Sequence, residues 1–337
     1  MGQKLLVTGG AGFIGSNFIH YWQKNHPDDE IINLDALTYA GTQTSLKDIE
    51  SPNYRFVHGS INDRAVVENS MQGVNLVVHF AAESHVDRSI SDPEVFLQTN
   101  VMGTFELLNS AVKNGVSRFH HISTDEVFGS LALGSETQFD ENSAYDPRSP
   151  YAASKAGSDH LVRAFGETYK LPFSITNCSN NYGEYHFPEK AIPKAITNLL
   201  QNKPIEIYGN GMQIRDWLYV QDHCRAIDLI VSDPATIGKT YLVGGLLKDT
   251  TNLDLAKMIC RLMAKDEATY IRFVEDRPGH DQRYSVNWQR LHADLGWEPS
   301  VSLEEGLTKT IGWYTQNQWW WQPLLDRAQV TNRQNIT

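Results

Sequence analysis

Two short stretches hold the residues that could do chemistry. Ser123-Thr124-Asp125-Glu126 sets two carboxylates side by side, just past a stretch from Arg118 to Ile122 that reads as a short strand. Ligands of open α/β sheets sit at the carboxyl ends of strands, so carboxylates there are well placed to act. The second stretch is Tyr151-Ala152-Ala153-Ser154-Lys155. Tyr151 and Lys155 stand four apart in a segment of helical periodicity, which puts both on one face. A lysine ammonium near a phenol favours the phenolate and makes Tyr151 a candidate base near neutral pH. Alone, Tyr-x-x-x-Lys is common on surface helices; after a dinucleotide fingerprint it carries weight.

Such a fingerprint opens the chain. The apolar run Lys4–Thr8 leads directly into Gly9-Gly10-Ala11-Gly12-Phe13-Ile14-Gly15, and a helical pattern follows from Phe13 to about Lys24. Gly9, Gly12 and Gly15 let the backbone turn tightly and approach a pyrophosphate, whose charge meets the helix N-terminus. The next strand, Ile31–Leu34, ends in Asp35, 20 residues after Gly15. A carboxylate there holds adenosine ribose hydroxyls, and no arginine adjoins it for a 2′-phosphate. The cofactor expected is NAD.

These residues need a scaffold of parallel strands. Strand-like runs recur at Tyr54–Val57, Asn75–Phe80 and Leu171–Thr176, with helical stretches between them. Alternation of this kind predicts an α/β fold, a doubly wound parallel Rossmann sheet. Asp92-Pro93 opens a long helix to about Asn114, which carries Asn100, a residue that helical periodicity alone would place on a solvated face; Ser149-Pro150 caps the helix of Tyr151. From Gly129 to Ser149 runs a polar excursion. The character changes after residue 178, where polar turns such as Tyr208-Gly209-Asn210-Gly211 alternate with short helices. The expected division is an NAD-binding domain over 1–178, with returning elements around 217–243, and a smaller mixed α/β lobe for the substrate over 179–330. A frayed polar tail begins near Gln329 and fills 331–337.

Composition narrows the function. The chain has 337 residues, 41% hydrophobic and 20% charged, with a net charge of −11. That balance argues against wrapping nucleic acid or binding an anionic membrane. Cys178, Cys224 and Cys260 have no metal-ligand spacing and fit a reducing cytoplasm. No metal is expected. No apolar run approaches a membrane span, and Met1 to Lys4 leaves no room for a signal peptide.

Together these motifs resemble the extended short-chain dehydrogenase/reductases, the NAD-dependent sugar epimerases and dehydratases. The resemblance runs from about residue 4 to 327 and includes Asp35-Ala36-Leu37-Thr38-Tyr39-Ala40-Gly41, Ala81-Ala82-Glu83-Ser84-His85-Val86-Asp87-Arg88-Ser89 and Cys178-Ser179-Asn180-Asn181-Tyr182-Gly183. Downstream it includes Gln213 to Val220 and Arg277-Pro278-Gly279-His280-Asp281. Asp125-Glu126 separates the 4,6-dehydratases of the family from its epimerases, which lack the pair. The resemblance implies a dTDP-glucose substrate and a closed redox cycle. Tyr151, helped by Lys155, takes the C4 hydroxyl proton while NAD⁺ takes the C4 hydride. Glu126 then removes the C5 proton, Asp125 donates to the departing C6 hydroxyl, and the hydride returns to C6. Thr124 hydrogen-bonds the C4 oxygen. Crowding of two carboxyls raises the pKa of one, so the pair can supply both acid and base.

Position by position, the resemblance assigns cofactor contacts to Phe13, Ile14, Asp35, Thr38, Ile61, Ala82, Ser84, Thr99, Tyr151, Lys155 and Asn181. It assigns the sugar nucleotide to Ser84, Thr124, Asn180, Lys190, Arg215, Asn252, Arg277 and His280. It also implies a homodimer through the helices near 93–114 and 151–170. Four departures stand out. Ser60 replaces an aspartate that meets the adenine, Glu184 a proline and His186 a glutamine, while Leu246-Leu247-Lys248-Asp249 replaces a more polar turn. Alternatives are a dehydratase of a UDP- or CDP-hexose, a 4-epimerase, and a silent NAD-binding regulator.

Overall fold

The computed structural model describes residues 2–245, 248–276 and 281–334. Strands β1 (Lys4–Thr8), β2 (Glu30–Asp35), β3 (Tyr54–His58), β4 (Leu76–His79), β5 (Arg118–Thr124) and β6 (Phe173–Cys178) lie in one sheet. Their order, with a late strand β10 described below, is β10-β6-β5-β4-β1-β2-β3, and each pair is parallel. Strands β1, β4, β5 and β6 are buried nearly throughout, as a sheet covered by helices on both faces requires. Alternate side chains go to opposite faces. Leu5 and Val7 join Phe18, Trp22, Val220 and Ile227 on one side; Leu6 joins Leu107, Leu108, Phe119 and Val162 on the other. After β3 the chain crosses back to β4 on the far side of β1, which opens a crevice at the carboxyl ends of β1 and β4.

The lobe has its own small pieces. Strand β7 (Asn180–Tyr182) pairs with β9 (Trp217–Tyr219), and β8 (Ile205–Tyr208) pairs with β11 (Ile271–Val274). Helices Ala191–Leu200, Asn252–Leu262 and Leu303–Gln316 bury an apolar cluster that includes Ile196, Ile207, Trp217, Leu255, Leu307 and Tyr314. The fold class is therefore the expected α/β architecture, a parallel Rossmann sheet with a smaller lobe.

Several details differ from the sequence reading. Of the returning elements, β10 (Lys239–Val243) joins the large sheet and the helix Val220–Ser232 packs on its face, while β9 pairs with β7. Strands β8 and β11 carry only four residues each and pair with each other alone, so neither left a long pattern. The helix expected from 93 to 114 is Pro93–Phe96, a wider π-type turn over Leu97–Gly103, then Thr104–Lys113. The final helix runs Gln318–Gln334, past the expected start of the tail, because Trp320, Trp321 and Leu324 anchor its first turns in the lobe core. Among the described residues no helix is long and apolar enough to cross a membrane, and no group of His, Cys, Asp or Glu could hold a metal.

Candidate active site

The glycine loop is shaped for a ligand. Gly9 has φ +72°, and a Cβ there would come 2.6 Å from Ala81 N. A Cβ on Gly15 would lie 2.3 Å from Gly9 O. Neither neighbour can yield, since both are backbone. The following helix, Phe13–Asn25, starts at Gly12 with no side-chain cap and no acidic residue in its first turn. Its first N–H groups remain available to an anion. Asp35 closes the far side of the loop, accepting from Ala11 N at 2.9 Å and Leu37 N at 2.8 Å. Burial raises its pKa and the two backbone bonds oppose the rise. A glycine cradle, an open helix N-terminus and a buried carboxylate at the end of β2 fit a dinucleotide.

A cavity of about 600 Å³ runs from this loop across the crevice to the lobe. Its cofactor side holds Gly9, Gly12, Phe13, Ile14, Gly15, Asp35, Thr38, Ser60, Ile61, Ala82, Ser84, Thr99 and Asn181. Thr124, Glu126, Tyr151 and Lys155 form its middle; Asn180, Lys190, Arg215 and Asn252 reach it from the lobe. The sequence reading names all of these. Asp125 is not on the wall but fully buried. Arg277 and His280 lie outside the described residues, as do Leu246 and Leu247.

The middle of the cavity is built by the end of β5. Thr124 caps the turn Asp125–Phe128, accepting from Glu126 N at 3.3 Å. Its hydroxyl donates to Asp125 Oδ1 at 3.3 Å, and Asp125 Oδ2 has no hydrogen-bond partner among the described residues. Burial first, then Glu126 and Asp216, push the Asp125 carboxyl well above its usual range, against a smaller opposing effect from Arg215. These effects favour the protonated form of Asp125. The helix Pro150–Tyr169 enters from the other side, capped by Ser149, which accepts from Ala152 N at 3.1 Å.

One expectation is corrected here. The pKa of Tyr151 is raised in this structure rather than lowered. Burial and Glu126 drive the phenol well above its ordinary value, and the hydrogen bond with Thr124 opposes them. The ammonium is engaged elsewhere: Lys155 Nζ donates to Ile122 O at 2.8 Å. Burial brings the lysine pKa down to about 8, with Asp159 and Cys178 pulling the other way.

Asn100 does not lie on a solvated face. It is buried, and it clamps the loop under the cavity to the helix of Tyr151. Its Oδ1 accepts from Glu83 N at 2.9 Å, while Nδ2 donates to Glu83 O at 3.0 Å and Ser154 Oγ at 2.8 Å. The π-type turn, which regular periodicity does not anticipate, rotates it inward.

On the lobe side, Arg215 lies buried over the Tyr284 ring, 4.6 Å from its centroid, and donates to Ile214 O and Asp281 O. Lys190 Nζ donates to Ser84 O at 3.3 Å. Of the departures, His186 stacks on Phe13 with centroids 4.1 Å apart, and Glu184 accepts from Tyr219 Oη at 2.7 Å. His186 thereby joins the glycine-loop helix to the lobe, and Glu184 ties β9 to the turn after β7. Tyr39, Glu189 and Tyr284 line the cavity and were not singled out in the sequence. Tyr39 stood within a quoted motif, but Tyr284 had no signal.

Comparison with known proteins agrees with this geometry. Residues 6–310 match the family described as GDP-mannose 4,6 dehydratase. A dTDP-glucose 4,6-dehydratase of Escherichia coli is 46% identical, with 98% of each chain covered. Its namesake in Neisseria meningitidis is 48% identical over 96% of each. The crystal structure of DesIV, a dTDP-glucose 4,6-dehydratase from Streptomyces venezuelae with NAD and TYD bound, superposes with a TM-score of 0.91 at 46% identity. It covers 96% of this chain and 100% of that one. A UDP-glucuronic acid 4-epimerase from Bacillus cereus shares the fold at 26% identity, with a TM-score of 0.86 over 93% of this chain and 99% of its own. The chain belongs to the nucleotide-sugar 4,6-dehydratases of the extended short-chain dehydrogenase/reductase family, in their dTDP-glucose 4,6-dehydratase branch.

Proposed function

We infer that the chain converts dTDP-glucose to dTDP-4-keto-6-deoxy-glucose, as an NAD-dependent hydro-lyase. The observation that carries this reading is the carboxyl pair at the end of β5. Asp125 is buried and its carboxyl is pushed toward the protonated form, while its neighbour Glu126 faces the cavity beside Tyr151. One fold position thus presents an acid and a base together, which an elimination of water needs and a simple epimerisation does not.

The dinucleotide would be held by Gly9, Gly12 and Gly15, by Asp35 toward its ribose, by Ser60 and Ile61 toward the adenine, and by Thr99 and Asn181, all of which line the cavity. When bound, NAD⁺ accepts the C4 hydride, returns it at C6, and brings a positive ring that draws the Tyr151 phenol toward phenolate. Tyr151 Oη takes the proton of the C4 hydroxyl, while Thr124, already bonded to Tyr151, orients the C4 oxygen. Glu126 removes the C5 proton once C4 is a ketone. Asp125 gives its proton to the departing C6 hydroxyl, with the unpartnered Oδ2 as the proton-bearing oxygen. Arg215, Lys190, Asn180 and Asn252 hold the nucleotide end; Arg277 and His280 complete that set. A guanidinium suits diphosphate because it offers paired donors.

The reading includes an NAD-binding body over 1–178 with a substrate lobe after it, and cytoplasmic work in the making of 6-deoxy sugars such as rhamnose. It includes a homodimer through the helices near 93–114 and 151–170. Exposed Leu97 and Met102 on the first of these, and Tyr169 on the second, support such a contact. The test is to incubate purified protein with dTDP-, UDP- and CDP-glucose and look for a 4-keto-6-deoxy product. Formation from the dTDP sugar is expected. Turnover only of another sugar would reassign the base, and interconversion of C4 epimers without loss of water would overturn the lyase.

A further inference from the structure

Behind Lys155 lies a buried set of charges that the proton steps above leave unused. Asp159 is one turn further along the same helix and fully buried. Its Oδ2 accepts from Tyr145 Oη at 2.7 Å, Ser123 Oγ at 2.9 Å and Asn177 Nδ2 at 3.1 Å. Its Oδ1 faces His121 Nε2 at 3.3 Å, and that same nitrogen lies 3.4 Å from Lys155 Nζ. One imidazole nitrogen thus touches both the lysine and the carboxylate. It is fully buried and kept neutral, first by burial and then by Lys155.

A buried ammonium loses its proton readily unless an anion answers it. The groups around Lys155 are His121 and the Ile122 carbonyl on β5, Cys178 on β6, His79 on β4, and Tyr151 and Asp159 on its own helix. Asp159 is the carboxylate among them. Around Asp159 stand His121, Lys155, Tyr145, Ser123, Asn177 and, through the Tyr145 hydroxyl, Arg163 at 2.8 Å. These donors keep Asp159 ionised in spite of its burial. A neutral ring in contact with both charges also keeps water from screening them.

We propose that Asp159 is a positioning residue that acts across the His121 imidazole to hold Lys155 charged and fixed at the cavity wall. Tyr145, Ser123 and Asn177 hold Asp159 for that task. The inference rests on the proposed dehydratase reading and on the part the resemblance gives Lys155 there, contact with the cofactor and help to Tyr151, since an uncharged Lys155 neither binds ribose oxygens strongly nor favours a phenolate.

The test uses the NAD-loaded enzyme and Asp159→Asn, which keeps shape and removes the charge. The alkaline limb of the kcat profile is expected to move to lower pH by about 1–2 units, the shift typical of losing a nearby opposite charge. NAD⁺ retention on dialysis should fall over the same pH range and recover as the pH is lowered. Asp159→Glu, which restores the charge, should return the limb toward its original place. A uniform loss at every pH, or an unmoved limb with unchanged retention, overturns the proposal. If Asp159→Asn does not fold, His121→Asn is measured instead. Its shorter side chain admits water between the charges and should move the limb the same way; a folded variant with an unmoved limb refutes action across the imidazole. Absence of 4-keto-6-deoxy product in the unaltered protein counts against the dehydratase reading alone, because NAD⁺ retention reports on Lys155 without any sugar.

Discussion

Replacing Asn100 by leucine tests whether the clamp under the cavity governs cofactor binding. Leucine has similar bulk but no polar atom. Glu83 N–H would lose its acceptor at 2.9 Å and Glu83 C=O its donor at 3.0 Å, both from the one amide. Stranding a buried backbone group costs about 1–3 kcal/mol, so the two together put roughly 2–6 kcal/mol on the loop around Glu83. The loop is half open to the cavity, and it is cheaper for it to lift into water than for the sheet to unfold. Ala82 and Ser84 on that loop line the cofactor side, so lifting them should weaken NAD⁺ binding. About half of the penalty appearing in binding means a drop of roughly 10- to 100-fold, at 1.4 kcal/mol for each factor of ten. Equilibrium dialysis measures the affinity and urea unfolding the remaining stability loss. Asn100→Asp keeps the acceptor for Glu83 N–H and loses the donor, so it should fall between. NAD⁺ affinity within twofold of the parent, with an unchanged unfolding midpoint, would show that something other than Asn100 holds the loop.

Three further outcomes are expected. Glu126→Gln cannot accept the C5 proton and should cut turnover by about 10²–10⁴-fold while reduced-nicotinamide absorbance builds up; Asp125→Asn should keep C5 exchange with solvent but slow the loss of water. Wild-type turnover in Glu126→Gln would refute the division of roles. Ser60→Asp should tighten NAD⁺ binding by about 1–2 kcal/mol through one charge-assisted bond to the adenine, with kcat nearly unchanged, as dialysis and initial rates will show. The third outcome concerns pH. Burial holds His121, His186 and His223 neutral, with pKa values near 4, 3 and 3 against an ordinary 6.5. The folded chain binds fewer protons than the unfolded one between those values. This contribution is therefore full above about pH 6.5 and is lost as pH falls, by about 4 kcal/mol per pH unit for three groups. The buried carboxyls of Asp35, Glu83, Asp125, Glu141 and Glu189, all raised chiefly by burial, act in the opposite sense and make this slope gentler. A urea midpoint that stays level from about pH 7 to 5 would contradict the assignment.

Much of this was legible in the chain because it rests on local rules. The glycine loop, Asp35 at the end of β2 and the Tyr151–Lys155 face follow from turn geometry, strand length and helical spacing, and all of them meet in one cavity. What escaped depends on distant packing. The periodicity of 93–114 hides the π-type turn that sends Asn100 inward. The direction of the Lys155 ammonium depends on Ile122 O and on a neighbour across the sheet, His121, which no spacing along the helix reveals. Tyr284 comes to the cavity from a stretch with little regular structure, held through Arg215.

The position of β10 has a consequence for how the protein is made. It is the edge strand beside β6, yet its residues, Lys239–Val243, come about sixty positions later in the chain. At a synthesis rate of about 5–20 residues per second, the completed β6 edge stands open on the ribosome for several seconds before its partner emerges. An unpaired, apolar strand edge invites pairing with another nascent chain. Slowing translation between residues 178 and 243 should therefore lower the yield of folded protein, and a holdase that covers strand edges should restore it.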